Sequence, residues 1–108
     1  MNKDLQKHLP LLEFLFNLPD DRRKNQLLNM KNEVLRFYIN FIYNVYKGIY
    51  PVDNTTIQNL MPFKDDIKAL LSKNKSFKSR KKILIENQFF FTLLGFLLPV
   101  IREALHKQ

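Results

Sequence analysis

Residues 33–47 read EVLRFYINFIYNVYK and are apolar around almost the whole circumference of a helix. Their polar side chains recur at helical spacing and form one narrow stripe, which consists of Glu33, Arg36, Asn40, Asn44 and Lys47. A helix with so little polar surface is usually buried on most sides. The stretch therefore predicts the central, most buried helix of a helical domain. Gly48 and Pro51 are placed to end it.

The remaining sequence also has helical periodicity. No strand pattern competes strongly with it, since the short apolar runs at 83–85 and 89–91 are too isolated to build a sheet. The apolar spacing predicts helices over residues 5–17, 19–47, 55–73 and from Ser76 or Ser79 to about Lys107. Three alternatives stay open. The first helix is also compatible with a start at Pro10, a break near residues 29–32 would divide the second, and Pro62 would kink or restart the third. Residues 55–58 (TTIQ) match a capping box that opens the third helix.

These elements predict an all-α protein, a compact bundle of four to six helices in a single domain spanning residues 1–108. Their order, short, long and short with an extra C-terminal helix, also resembles a histone fold. That fold buries its long helix by dimerising, which would account for the abundant apolar surface. The C-terminal part is expected to comprise a basic segment at 73–82 and an apolar helix at 83–107.

Charge is concentrated near the C-terminus. The chain has 108 residues, a formal net charge of +8 and no cysteine. Residues 1–71 hold ten basic and eight acidic side chains, whereas residues 72–108 hold eight basic and two acidic ones. This imbalance favours a polyanionic partner that contacts the C-terminal third.

The basic segment contains six cations within ten positions, which are Lys73, Lys75, Lys78, Arg80, Lys81 and Lys82. Lysine and arginine neutralise phosphates, and the interleaved serines can add hydrogen bonds to phosphate oxygens. Arg80 could contact a guanine edge. These residues are predicted to bind the DNA backbone. The alternatives are a solvated charged face or a nuclear-localisation signal.

An apolar run follows at residues 89–101 (FFFTLLGFLLPVI). As a helix it would rise roughly 20 Å, short of a bilayer core of about 30 Å. A simple membrane span is therefore not expected. A monomer of this size is not expected to bury all its large side chains in one core, so some should contact an oligomer partner or a membrane surface. The candidates are Phe89, Phe90, Phe91, Phe96, Leu97 and Leu98.

Catalytic and metal-binding signals are weak. His8 and His106 lie at opposite ends of the chain without a second ligand at helical spacing, and both are expected at the surface. The pairs Asp20–Asp21 and Asp65–Asp66 fit helix starts. The four tyrosines between positions 38 and 50 are expected to pack in the core instead of stacking on bases. The sequence therefore predicts no enzymatic activity, cofactor or metal.

Several stretches carry a family resemblance. In order they are residues 46–52 (YKGIYPV), a helix at 55–73, residues 76–85 (SFKSRKKILI) and the apolar tail at 89–98. Over roughly residues 10–101 the chain resembles a small basic protein encoded by Polinton (Maverick) elements and the related adintoviruses. The resemblance implies a viral or transposon-derived protein associated with virions or DNA, and it supplies no catalytic residues.

Together these features predict a non-enzymatic protein that binds or packages DNA with little sequence preference and acts as a homo- or hetero-oligomer. Because no signal peptide is visible, it is expected inside the cell, in the nucleus or in the virion. Two alternatives remain. The basic and apolar C-terminal segments could together act on an anionic membrane, or the chain could be a protein–protein assembly module.

Overall fold

The computed structural model describes residues 2–106, which form five continuous helical stretches and no strand. Two of these stretches are divided by a short 3-10 turn, at Met61–Phe63 and at Glu86–Gln88. The helices are α1 (Asn2–Phe16), α2 (Asp20–Leu28), α3 (Asn32–Tyr46), α4 (Asn54–Leu60), α5 (Lys64–Leu70), α6 (Phe77–Ile85) and α7 (Phe89–His106). The predicted all-α bundle of four to six helices is confirmed.

The core is built around α7, which packs against α1, α4 and α6. The side chains of α7 that are buried are Phe89, Phe90, Phe91, Leu93, Leu94, Leu97, Leu98, Val100 and Ile101. Helix α3 is also buried along much of its length, but α7 has the more extensive helix contacts. The prediction that residues 33–47 form the most central helix is therefore wrong. The apolar tail takes that place because it is apolar on several faces.

The predicted stretch 19–47 is two helices. Helix α2 ends at Leu28 and α3 begins at Asn32, with Lys31 in extended backbone conformation just before it. The Asn29 side chain donates a hydrogen bond to the Asn25 carbonyl, which satisfies the end of α2 locally. Met30 then turns into the core and is buried. Without one long central helix, the histone-fold-like arrangement is not formed.

Helix α3 ends as predicted at Gly48, whose φ is +80°. The Ile49 amide donates to the Asn44 carbonyl and the Gly48 amide donates to the Val45 carbonyl, both over 3.0 Å. This pair of bonds is a Schellman motif, which needs a left-handed residue that glycine adopts without strain.

The next helix begins at a different cap from the predicted one. The Asp53 carboxylate accepts a hydrogen bond from the Thr56 amide over 2.8 Å, so α4 begins at Asn54 and residues 55–58 lie inside it. Hydrogen bonding to the Thr56 side chain, and to the Thr56 amide, lowers the pKa of Asp53. Pro62 restarts the helix through the 3-10 turn, in agreement with one of the two alternatives.

Prolines and glycines elsewhere interrupt the helices less than the sequence indicates. Helix α1 runs through Pro10 from Asn2, and α7 runs through Gly95 and Pro99. The break in the C-terminal region falls at Asn87 and Gln88, which have φ values of +52° and +55°. The predicted apolar helix at 83–107 is therefore wrong at its start, because residues 83–85 belong to α6. Its predicted end at Lys107 lies outside the described residues.

Candidate nucleic-acid interface

The six cations of the basic segment fall into two groups by exposure. Lys73 and Lys75 lie in the loop between α5 and α6, and both are exposed. Lys78 and Lys82 are exposed one turn apart on α6, while Arg80 and Lys81 are half-buried. No carboxylate in residues 2–106 forms an ion pair with any of the six. Their positive charge is therefore available to an external anion.

The serines of the segment serve mainly to fix the helix start. The Ser76 hydroxyl oxygen accepts a hydrogen bond from the Ser79 amide over 3.2 Å and donates one to the Ser79 hydroxyl over 3.1 Å. Ser76 is thus the N-cap of α6, as the sequence allowed. The Ser72 hydroxyl accepts a longer bond, 3.4 Å, from the Asn74 amide. These hydrogen bonds order the loop and the first turn of α6, so the lysines are positioned without a bound phosphate.

Arg80 has a different environment from the exposed lysines. Its Nη2 donates a hydrogen bond to the Ser72 carbonyl over 2.6 Å, which ties α6 back to the preceding loop. Its Nε is buried and has no hydrogen-bond partner among the described residues. The tether makes Arg80 a poor candidate for reaching a guanine edge, which was one of its predicted roles.

A pocket of about 300 Å³ joins this segment to α3. It is lined by the basic side chains Arg36, Lys73 and Arg80, the polar side chains Asn40 and Tyr43, and the apolar side chains Ile39, Leu71 and Phe77. No acidic residue in the described part of the chain, residues 2–106, lines it. Arg36, Asn40 and Tyr43 were not predicted as site residues. Two of them belong to the polar stripe of α3, so the stripe was the signal that could have found them.

Tyr43 is held in a strongly basic setting. The Lys47 ammonium lies over its ring, 4.8 Å from the centroid. Lys47 is the main cause of a lowered pKa at Tyr43, and the charge of Lys73 adds to it. The other tyrosines differ from one another. Tyr38 and Tyr50 are buried in the core, as predicted, but Tyr46 is exposed.

The apolar tail is not the exposed surface that the sequence predicted. Phe89, Phe90, Phe91, Leu97 and Leu98 are all buried within the single chain, and Phe96 is half-buried. Three consecutive phenylalanines point in different directions around a helix, so each needs its own neighbour.

Each of the three phenylalanines has such a neighbour. The Phe89 ring lies 5.8 Å from that of Phe63, and the Phe90 ring lies 4.2 Å from that of Tyr38. The Phe91 ring lies under the Arg23 guanidinium, 5.0 Å from the centroid. The argument that one monomer cannot enclose these side chains is therefore wrong, because α7 is surrounded on several sides.

One stretch of the described chain, Phe77–His106, is long and apolar enough to cross a membrane by length and composition. Half of its most apolar window is buried inside the protein. The core helix of a globular domain passes the same test. Length and composition are therefore weak evidence that this stretch crosses a membrane.

The two histidines are in different environments. His106 is exposed as predicted, but His8 is buried. Its Nδ1 lies 2.8 Å from the Asp4 carbonyl oxygen, to which it donates, and its ring stacks on Phe37 at 4.2 Å. The prediction of a surface position for His8 is wrong because Phe37 and α1 enclose it. No group of three or more His, Cys, Asp or Glu side chains that could hold a metal occurs among the described residues.

A larger pocket of about 650 Å³ lies on a different part of the molecule. We call this pocket the apolar groove. Its lining includes Tyr46, Ile57 and Met61, which are large apolar side chains that remain exposed. The lining also includes the charged residues Lys64 and Lys68. The molecule therefore has a small basic pocket and a larger apolar groove with basic edges.

No family model, curated protein or solved structure matches this chain. The resemblance to the Polinton and adintovirus protein accordingly stays a prediction.

Proposed function

We propose that this protein binds the phosphate backbone of DNA through Lys73, Lys75, Lys78 and Lys82. The observation that carries the proposal is that these four exposed cations make no ion pair with a carboxylate in the described part of the chain. They lie in the loop before α6 and on α6 itself, which Ser76 caps. Each phosphate that a lysine neutralises releases condensed counterions and so favours binding.

Such binding has little sequence preference. Lysine ammonium groups act on phosphates as point charges and carry little base information. Arg80, the residue of the segment best suited to guanine, is tethered to the Ser72 carbonyl. If the resemblance to Polinton and adintovirus proteins is correct, the DNA is the genome of such an element, and the protein acts in the nucleus or virion.

Action on a membrane has less support. That alternative needs the phenylalanines of α7 to enter the lipid interface, but Phe89, Phe90 and Phe91 are buried in the core. Exposing them would disrupt the core around which the bundle packs. Anionic vesicles nevertheless belong among the probes, since lysines also attract lipid head groups.

The deciding experiment measures duplex DNA affinity as a function of salt concentration. One variant carries Lys75→Gln, Lys78→Gln and Lys82→Gln. A control of equal net charge carries Lys3→Gln, Lys31→Gln and Lys64→Gln, all exposed lysines outside the segment. The slope of log affinity against log salt should fall by about one for each lysine that contacts a phosphate, so by up to about three in the first variant only.

A slope near zero in the unmodified protein contradicts the proposal, as does an equal effect of the two triple variants. Single-stranded RNA and anionic vesicles serve as parallel probes. Binding to vesicles alone would favour the membrane alternative.

The apolar groove supports a second candidate function, the docking of an acidic amphipathic helix from another protein. An apolar helix face fits an apolar groove, and acidic residues on its flanks would meet Lys64 and Lys68. A second copy of this chain fits less well because its net charge of +8 would repel it.

A matched pair of substitutions tests this candidate. Met61 lies in the groove and Phe14 outside it, and both are 57% exposed. Met61→Glu should abolish binding of a labelled helical peptide with a leucine face and glutamate flanks, whereas Phe14→Glu should not. Equal binding of a peptide with lysine flanks, or self-association seen by sedimentation and lost in Met61→Glu, would contradict the acidic partner.

A further inference from the structure

The pocket between α3 and α6 has the composition of an anion site. Arg36 from α3 lines it together with Lys73 and Arg80 from the basic segment, and no carboxylate of residues 2–106 lines the space. Three cations that face one pocket repel one another, and an anion between them would relieve that repulsion. Of these three cations, Lys73 is exposed, whereas Arg80 is half-buried.

Arg80 gives an independent indication of a missing partner. A guanidinium has five N–H donors and is always charged, and a half-buried one normally finds acceptors for several of them. Arg80 has one such acceptor, the Ser72 carbonyl at 2.6 Å, and its buried Nε has none among the described residues. An oxyanion in the pocket would compensate this charge and accept the remaining donors.

Two further features fix the geometry of the pocket. The Arg36 guanidinium lies over the Phe77 ring, 4.7 Å from the centroid, which restricts its orientation. Phe77 is also the first residue of α6, so the positive end of this helix lies beside the pocket. Tyr43 and Asn40 also line the pocket, and their side chains carry neutral groups that can donate hydrogen bonds.

We propose that this pocket binds a phosphate monoester, namely the terminal phosphate of a nucleic-acid strand. A monoester carries close to two charges at neutral pH, which suits a pocket lined by three cations better than the single charge of a diester. A monoester has one substituent, so its other three oxygens are free to accept hydrogen bonds in the pocket. A backbone phosphate is linked to the chain on both sides and suits the exposed lysines. The nucleic-acid source of the phosphate rests on the proposed function, but the chemistry of the pocket does not.

The test compares two oligonucleotides that differ in one group, a 5′-phosphate or a 5′-hydroxyl, with inorganic phosphate and adenosine monophosphate as small probes. We expect the 5′-phosphate to raise affinity about tenfold or more, as charge-assisted hydrogen bonds do. Inorganic phosphate at constant ionic strength should shift the NMR signal of the Arg80 Nε–H. Adenosine monophosphate should shift the same signal.

Two variants separate the pocket from the exposed lysines Lys75, Lys78 and Lys82. Arg36→Gln should remove the preference for the 5′-phosphate and keep the salt dependence of the 5′-hydroxyl strand. Lys78→Gln should reduce that salt dependence and keep the preference. Arg80 itself is not substituted, because its tether to Ser72 holds the loop.

The outcomes distinguish the two proposals. An unshifted Arg80 signal together with no preference for the 5′-phosphate overturns the pocket as a phosphate site. A shifted Arg80 signal without any binding of either oligonucleotide supports the pocket but overturns its nucleic-acid source and the proposed function. A preference for the 5′-phosphate that survives Arg36→Gln also overturns the assignment to this pocket.

Discussion

The hydroxyl of Tyr38 in α3 donates a hydrogen bond over 2.9 Å to the backbone carbonyl of Phe90 in α7. The two rings also lie 4.2 Å apart, and both side chains are fully buried. The bond therefore joins the two most buried helices at the place where the apolar tail enters the core. A carbonyl oxygen has two lone pairs, so Phe90 can accept this bond within a helix.

Replacing Tyr38 with phenylalanine tests this bond with little change of shape. We expect Tyr38→Phe to lower the free energy of unfolding by about 1 kcal/mol, the usual net value of a buried hydrogen bond. Tyr46→Phe is the control, because Tyr46 is 66% exposed and should change the free energy by less than about 0.5 kcal/mol. Urea denaturation of the unmodified protein, Tyr38→Phe and Tyr46→Phe measures both changes in free energy. Equal stability of all three would contradict a role for the bond.

The same hydroxyl predicts a loss of stability at high pH. Burial raises the pKa of Tyr38 well above its ordinary value of 10.0. The unfolded chain then releases this proton at a lower pH than the folded protein does. The contribution of Tyr38 is therefore complete below pH 10 and is lost as pH rises above it.

This pH dependence is measured as a difference between two proteins. Urea denaturation of the unmodified protein and of Tyr38→Phe at about pH 8.5 and about pH 11 should show the stability advantage of Tyr38 shrinking at the higher pH. Tyr50, whose pKa is also raised by burial, is present in both proteins and does not affect the difference. A constant advantage would contradict the predicted shift.

Leu98 distinguishes a core position from an interface position. It is 2% exposed in the single chain, so Leu98→Ala should lower the free energy of unfolding by about 2–5 kcal/mol. Leu28→Ala is the control, because Leu28 is 51% exposed and on the surface. If Leu98 belonged to an oligomer contact, its substitution would instead change the mass seen by sedimentation and leave the monomer nearly as stable.

The two glycines should respond to alanine in opposite directions. Gly48 has a φ of +80° in the cap of α3, where an L-residue is strained by about 1–2 kcal/mol, so Gly48→Ala should destabilise the protein. Gly95 lies inside α7, and an added Cβ would meet the Phe16 ring at 3.4 Å, an ordinary contact. Gly95→Ala should therefore stabilise by up to about 1 kcal/mol through helix propensity. Denaturation midpoints measure the stability of both variants. If both substitutions changed stability in the same direction, the different roles assigned to Gly48 and Gly95 would be contradicted.

Local signals in the sequence predicted the local structure well. The Gly48 cap, the Ser76 cap and the restart near Pro62 each depend on a few neighbouring residues, whose preferences can be read from the chain itself. The all-α bundle also followed from periodicity. The basic segment is evident from composition alone. Its lysines were expected to be exposed because lysine side chains are seldom fully buried.

Features set by contacts between distant residues could not be predicted in this way. His8 is buried because Phe37, far along the chain, stacks on it. The phenylalanines of α7 are buried because Phe63, Tyr38 and Arg23 approach three of its sides. Periodicity shows which residues share a face, but the number of neighbours around a helix is decided by tertiary packing.

The N-cap of α6 gives a local test of how the exposed lysines Lys78 and Lys82 are positioned. Ser76→Ala removes the acceptor of the Ser79 amide, so we expect about 1 kcal/mol of destabilisation and faster hydrogen exchange at that amide. Ser79→Ala is the matched control, because it keeps the capped amide and loses only the bond between the two hydroxyls. If both substitutions left the exchange of amide 79 unchanged, Ser76 would not be the cap. If exchange rises in Ser76→Ala, weaker DNA binding in the same variant would show that the order of α6 contributes to phosphate contact.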